Sequence, residues 1–98
     1  MAARKSPNDV RVMTRVSTHP GEMLQAEFLQ PLGLSASALA RELGIPGNRI
    51  TELIAGRRGM TADTALRLAD KFETTPEFWM NLQALHDLTR AVVARNAA

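Results

Sequence analysis

Between Ser35 and Gly56 the sequence carries two amphipathic helical patterns separated by only three residues, Gly44-Ile45-Pro46. This spacing constrains the fold more than any other feature. In the first pattern Ala36, Leu39, Ala40 and Leu43 recur at i, i+3, i+4 and i+7, one apolar stripe along a helix. Ser35 is suited to cap its first turn and Gly44 to end it. The second pattern opens at Pro46 and closes at Gly56, and places Ile50, Leu53 and Ile54 on one side at about 100° per residue. Joined so tightly, the two helices must fold back on each other. Ala40 is small where they approach, and Ile45 and Ile50 are apolar plugs that fix the crossing.

A unit of this build is a helix-turn-helix, in which the second helix lies in a DNA major groove. Its outward face carries Asn48, Glu52 and Ala55, with Arg49 and Thr51 on the flanks. Asn bonds adenine bidentately, and Arg49 can reach a guanine or a phosphate. Glu52 can accept from a cytosine amino group or pair with Arg49 at i, i+3, and the intrahelical pair is the preferred reading. Arg57 and Arg58 follow the helix end. They either complement its dipole or clamp phosphates, and beside a helix-turn-helix the clamp is preferred. Ser37 is a further phosphate-contact candidate.

Around this unit the chain reads as an all-α protein. Ninety-eight residues make one domain, and aromatic residues are too few to build the core, which falls to Leu, Ile, Val, Ala and Met. Residues 1–18 form an arm and residues 19–95 a helix-turn-helix DNA-binding domain of five helices. Within the arm, residues 1–9 are expected to fray. Val10, Val12, Thr14 and Val16 alternate with Arg11, Met13 and Arg15, which reads as a short strand that must pair with a second copy or a partner, or stay disordered. The first helix starts at Pro20, turns Leu24 and Phe28 inward, and is stopped by Pro31 and Gly33. The fourth follows a Thr61 cap, with Asp63 in its first turn and a stripe of Ala65, Leu68, Ala69 and Phe72. The fifth begins at Thr75-Pro76-Glu77 and carries more apolar surface, through Leu85, Leu88, Val92 and Val93, than one helix in a small domain needs to cover. Part of that surface reads as a dimer face.

Other chemistries find little support. With no cysteine the chain has no disulfide framework, thiol nucleophile or cysteine zinc site, in keeping with a reducing cytoplasm. His19 and His86 are the two histidines and neither sits in a metal or nucleophile pattern; His19 reads as a local helix cap and His86 as a surface or dimer contact. Phe78 and Trp79 read as core anchors rather than a ligand pocket. There is no phosphate-binding glycine loop, so neither catalysis nor a cofactor is expected. No apolar run is long enough to span a membrane, and a soluble, cytoplasmic protein is expected. The net charge of +2 is modest, but positive charge concentrates in residues 1–20 and around Arg41, Arg49, Arg57 and Arg58.

Five motifs in order, His19-Pro20-Gly21-Glu22, Pro31 to Ser35, Asn48-Arg49-Ile50, Gly59 to Ala69, and Pro76 to Gln83, resemble the HigA family of antitoxins, within the lambda-repressor-like or Xre-type class. The likeness spans about residues 17–88. It implies a five-helix repressor fold and a homodimer on a palindromic double-stranded DNA operator. It also implies a HigB-type, RelE-like toxin that cuts messenger RNA, which the antitoxin silences while repressing its own operon. Carried over by position, Gly47, Asn48, Arg49, Thr51 and Glu52 face bases, and Ser37, Arg57 and Arg58 lie near phosphates. Gly47 stands where many relatives carry a side chain, so it brings no side-chain contact. The alternatives are a stand-alone Xre-type repressor and a module that binds protein alone.

Overall fold

The computed structural model describes residues 9–97, and among them it holds five helices, one short 3-10 turn and no strand. Helix α1 covers residues 20–32 in three parts: an α-helical start Pro20–Leu24, a π-helical stretch Gln25–Leu29 and a last turn Gln30–Leu32. α2 is Ala36–Leu43, α3 Gly47–Ile54, α4 Ala62–Phe72 and α5 Pro76–Ala97. No helix among the described residues is long and apolar enough to cross a membrane.

The helix starts follow from local chemistry. Ser35 Oγ accepts from the Ala38 N–H at 3.1 Å, and Thr75 Oγ1 from the Phe78 N–H at 3.1 Å. Thr61 Oγ1 accepts from Thr64 N–H at 3.4 Å. His19 caps α1, its Nδ1 accepting from the Gly21 N–H at 2.9 Å. Each such cap satisfies an amide that the helix leaves orphaned, worth about 1 kcal/mol. The ends of α1 to α4 share one device, a left-handed residue followed by an amide that reaches back five positions. Gly33, Gly44 and Gly56 supply that residue for α1 to α3, and Glu73 supplies it for α4 at φ 56°. The returning bonds are Leu34 to Leu29, Ile45 to Ala40, Arg57 to Glu52 and Thr74 to Ala69, at 2.9 to 3.2 Å.

Leu24 and Leu29 of α1, Leu39, Ala40 and Leu43 of α2, Ile50 and Leu53 of α3, and Ala65 and Leu68 of α4 close on Trp79 of α5 in one core. Trp79 is fully buried; Phe28 packs on it at 5.1 Å between ring centres and on Phe72 at 4.9 Å. Its indole N–H, which burial would otherwise strand, donates to Thr74 Oγ1 at 2.8 Å. Burying each of the large side chains here stabilises the fold by about 1.5–3 kcal/mol before entropy is counted. Ala40 and Ile45 are buried at the α2–α3 crossing, as their sizes implied. Phe78 lies at the edge of the core, so Trp79 is the anchor.

Two expectations are corrected. The alternating segment from Val10 to Val16 is not a strand: Val10–Val12 is a 3-10 turn capped by Asp9, and the following residues run without regular structure to α1. Nor does it need a second copy. The Ser17 N–H donates to the buried Thr89 Oγ1 at 2.8 Å, and Ser17 O lies 2.8 Å from His86 Nδ1. Side chains of α5 thus do what a neighbouring strand would have done. Residues 1–8 of the expected frayed arm lie outside the described residues. Pro31 does not stop α1 either, since Gln30–Leu32 is helical and Gly33 makes the end. In a regular α-helix the Pro31 ring would meet the carbonyl of Glu27; the wider π turn, closed by Gln30 N–H to Gln25 O, precedes it.

Candidate nucleic-acid interface

Helix α3 stands on the core by its inner face. Ile50 and Leu53 are buried and Ile54 half-buried. Opposite them, Gly47, Asn48 and Thr51 are exposed, as is Ser37 at the start of α2. Two contacts fix how α3 sits. At its N-terminal side the Gly44 turn ties it to α2; at its C-terminal side Gly21 of α1 abuts it. A Cβ at Gly21 would stand 1.8 Å from Leu53 O and 2.5 Å from Leu53 C, so only glycine allows this backbone-to-backbone approach. The sequence reading did not single out Gly21 for this role. Its signal was a glycine inside the first turn of a helix, which needs a packing reason.

The polar side chains of the face are held differently. Asn48 makes no side-chain hydrogen bond among the described residues, leaving its amide open. Thr51 Oγ1 donates back to Asn48 O at 3.2 Å or Gly47 O at 3.4 Å, so its hydroxyl proton is engaged by the helix itself. Arg49 does not pair with Glu52. Its Nη1 lies 3.6 Å from Asp63 Oδ2, at the start of α4. Glu52 instead accepts from Arg58, Nε at 3.0 Å and Nη2 at 2.9 Å. The expected Arg49–Glu52 pair fails because the left-handed turn at Gly56 folds Arg58 back over Glu52, within reach of a two-pronged bond. All these groups are at least one-third exposed, so each pair adds little to stability.

Asp63 also accepts from Arg67 Nε at 3.0 Å, and Arg67 Nη1 donates to Leu43 O, the last carbonyl of α2, at 2.6 Å. Arg67 thereby cross-links α4 to the end of α2, and Asp63 links both to Arg49. Sequence reasoning missed this role, although Asp63 and Arg67 at i, i+4 carried a signal. Arg57, one residue past the αL turn, is exposed and has no side-chain partner among the described residues. The structure therefore gathers Gly47, Asn48, Arg49, Thr51, Glu52, Arg57 and Arg58 on one helix and the loop after it, with Ser37 exposed on α2. It leaves Asn48 and Arg57 open, while Arg49, Glu52 and Arg58 hold carboxylate or guanidinium partners. No group of residues able to hold a metal ion occurs among the described residues.

A helix-turn-helix family model matches residues 26–79, from α1 through Trp79. Antitoxin HigA-1 of Vibrio cholerae is 46% identical over 68 residues, which cover 69% of this chain and 64% of that protein. The chain belongs to the HigA-type helix-turn-helix family. Virulence-associated protein I of Dichelobacter nodosus is 49% identical over 73 residues, 74% of this chain and 68% of that protein. The structure of the Pseudomonas aeruginosa antitoxin HigA with the higBA promoter superposes with a TM-score of 0.79 at 40% identity, covering 85% of this chain and 89% of that one. The all-helical architecture of this HigA-type chain accords with that neighbour.

Proposed function

We propose that this HigA-type protein is the antitoxin of a toxin–antitoxin pair and represses its own operon, with α3 as the reading helix. The observation that carries this reading is the outer face of α3: polar, solvent-facing, and backed by a helix fixed at both ends by close backbone contacts. A base-reading helix needs such rigid placement, because hydrogen bonds to base edges fail with small displacements. Asn48 and Arg49 are assigned to bases, with the Thr51 methyl group available to a thymine methyl. Gly47 lets the backbone come close to the duplex but adds no side chain. Ser37, Arg57 and Arg58 are assigned to phosphates, and Glu52 holds Arg58 in place. The HigA relative and the neighbour seen with its promoter support, by likeness, an antitoxin that binds DNA.

The operator is a palindrome read by a homodimer, its half-sites about 10 base pairs or a multiple apart. Val12, Val16, Leu85 and Leu88, exposed on the arm and α5, are assigned to the second protomer. The partner is a HigB-like toxin encoded beside this gene. Two measurements test the reading. In footprinting on the promoter upstream of its own gene, wild type protects a two-fold symmetric site and Asn48→Ala/Arg49→Ala loses it while keeping its helical spectrum. Copurification with the neighbouring gene product then stops that product's cleavage of messenger RNA. Unchanged protection by the double variant would refute α3 as the reader, and a neighbour that neither binds nor cleaves would refute the antitoxin role.

A further inference from the structure

Beside the C-terminal end of α3 lies a cleft of about 300 Å³ between the Gly56–Gly59 loop, the start of α1 and the middle of α5. Its walls are almost wholly polar: Arg57 and Arg58 from the loop, His19 from α1, and His86, Asp87 and Arg90 from α5. We infer that this cleft is a phosphodiester site which seats a backbone phosphate of the bound duplex, and that Arg90 is a further phosphate contact. The inference rests on the DNA-binding reading above and extends it to α5, where no motif pointed.

The charge balance supports it. Three guanidinium groups face one carboxylate in the cleft. That carboxylate is itself engaged, Asp87 Oδ1 accepting from Gln83 Nε2 at 2.9 Å, while Gln83 Oε1 takes the Met60 N–H at 2.6 Å. Arg58 is held by Glu52, but Arg57 and Arg90 have no ion pair or side-chain hydrogen bond among the described residues. Two cations left unpaired on opposite walls of a concave polar site leave it short of an anion. Neutral donors complete the set. The amides of Arg58 and Gly59 have no protein acceptor among the described residues. At Gly56 nothing stands within 4 Å of where a side chain would begin, so the loop backbone is open on that side, while the Gln83 carboxamide packs against Gly59; an open loop backbone of this kind is where amides meet phosphate.

His19 fits the same chemistry. His19 Nδ1 accepts from Gly21, so its neutral ring carries the proton on Nε2 as a donor. His86 Nδ1 faces the Ser17 carbonyl and must donate there. The rings meet edge to face at 4.9 Å and form one wall. The site continues directly from the helix that reads bases, so a duplex in contact with Asn48 and Arg49 carries its backbone past the loop.

The test uses the full-length protein with two duplexes of equal length, the promoter upstream of its own gene and an unrelated sequence, titrated over a range of salt concentrations. For Arg90→Gln the log-affinity against log-salt slope falls by about 0.9 on both duplexes. That is about a fivefold loss near 0.15 M salt. Arg90→Lys restores most of it, and Asn48→Ala/Arg49→Ala loses discrimination between the duplexes with the slope nearly kept. An unchanged slope in Arg90→Gln overturns the inference, and so does a loss confined to the promoter duplex. If Arg90→Gln lowers the slope while the Asn48/Arg49 variant still discriminates, the phosphate site stands and the reading-helix assignment falls.

Discussion

Replacing Gly21 by alanine adds one methyl group where the start of α1 meets the backbone of α3. Its Cβ would lie 1.8 Å from Leu53 O, about 1.6 Å short of the 3.4 Å at which ordinary contact begins, with Ile54 Cα at 3.0 Å behind it. No rotamer relieves this clash, because every opposing atom belongs to the backbone of α3. The N-terminus of α1 and the C-terminus of α3 must move apart, and Leu53 and Leu24 lose packing as they do. Overpacking typically costs about 1–3 kcal/mol, and a backbone-to-backbone clash belongs at or above the top of that range. Alanine's helix preference returns less than about 1 kcal/mol. A net loss of about 2–3 kcal/mol lowers Tm by roughly 10–20 °C in a domain of this size. Gly47→Ala is the matched control. Its Cβ meets nothing within 4 Å and its φ is not positive, so alanine there is neutral or stabilising by up to about 1 kcal/mol. Thermal unfolding followed by circular dichroism reads both. The reasoning is refuted if Gly21→Ala melts with wild type, or if Gly47→Ala falls as far.

Further outcomes follow from other contacts. Burial, and then the neighbouring His86, push the His19 imidazole below its ordinary pKa, with Asp87 and Glu22 pulling weakly the other way. The unfolded chain therefore binds more protons than the folded one below about pH 6.5, so stability is full above that value and declines as pH falls through it. His19→Asn, which keeps a capping acceptor, flattens the fall in Tm between about pH 7.5 and 5.5; an equally steep fall in the variant would exclude His19 as its source. Glu73→Gly relieves the left-handed residue after α4 and raises stability by about 0.5–1 kcal/mol in urea titration, whereas a lower midpoint would contradict the strain. Thr74→Val strands the buried indole N–H of Trp79 and costs about 1–3 kcal/mol, read by the fluorescence of the protein's one tryptophan. An unchanged unfolding midpoint would show that another acceptor serves the indole.

Much of the fold was legible because the signals are local. Ser35, Thr61 and Thr75 precede apolar stripes and cap them, and Gly33, Gly44 and Gly56 end helices by a conformation that other residues adopt at a cost. The alternation in the arm misled because period two reports extended backbone rather than its partner, and the partner was a pair of side chains, Thr89 and His86, far along the chain. For the candidate site, residue types and helical spacing marked Asn48, Arg49 and Arg57 without any structure. Gly21, Arg67 and Arg90 escaped that reading, since each acts on a residue remote in sequence.

The three residues between two apolar stripes were enough to determine that α2 and α3 fold back on each other and that Ile50 and Leu53 turn inward. Helical periodicity and a short turn are properties of adjacent residues, and the sequence states them directly. The ion pairing of the outer face was decided elsewhere. Glu52 takes Arg58 across the Gly56 turn, Arg49 takes Asp63 from α4, and Arg57 is left open in the cleft that Arg90 also lines. Surface ion pairs differ by less than about 1 kcal/mol, so only the relative placement of the helices selects among them.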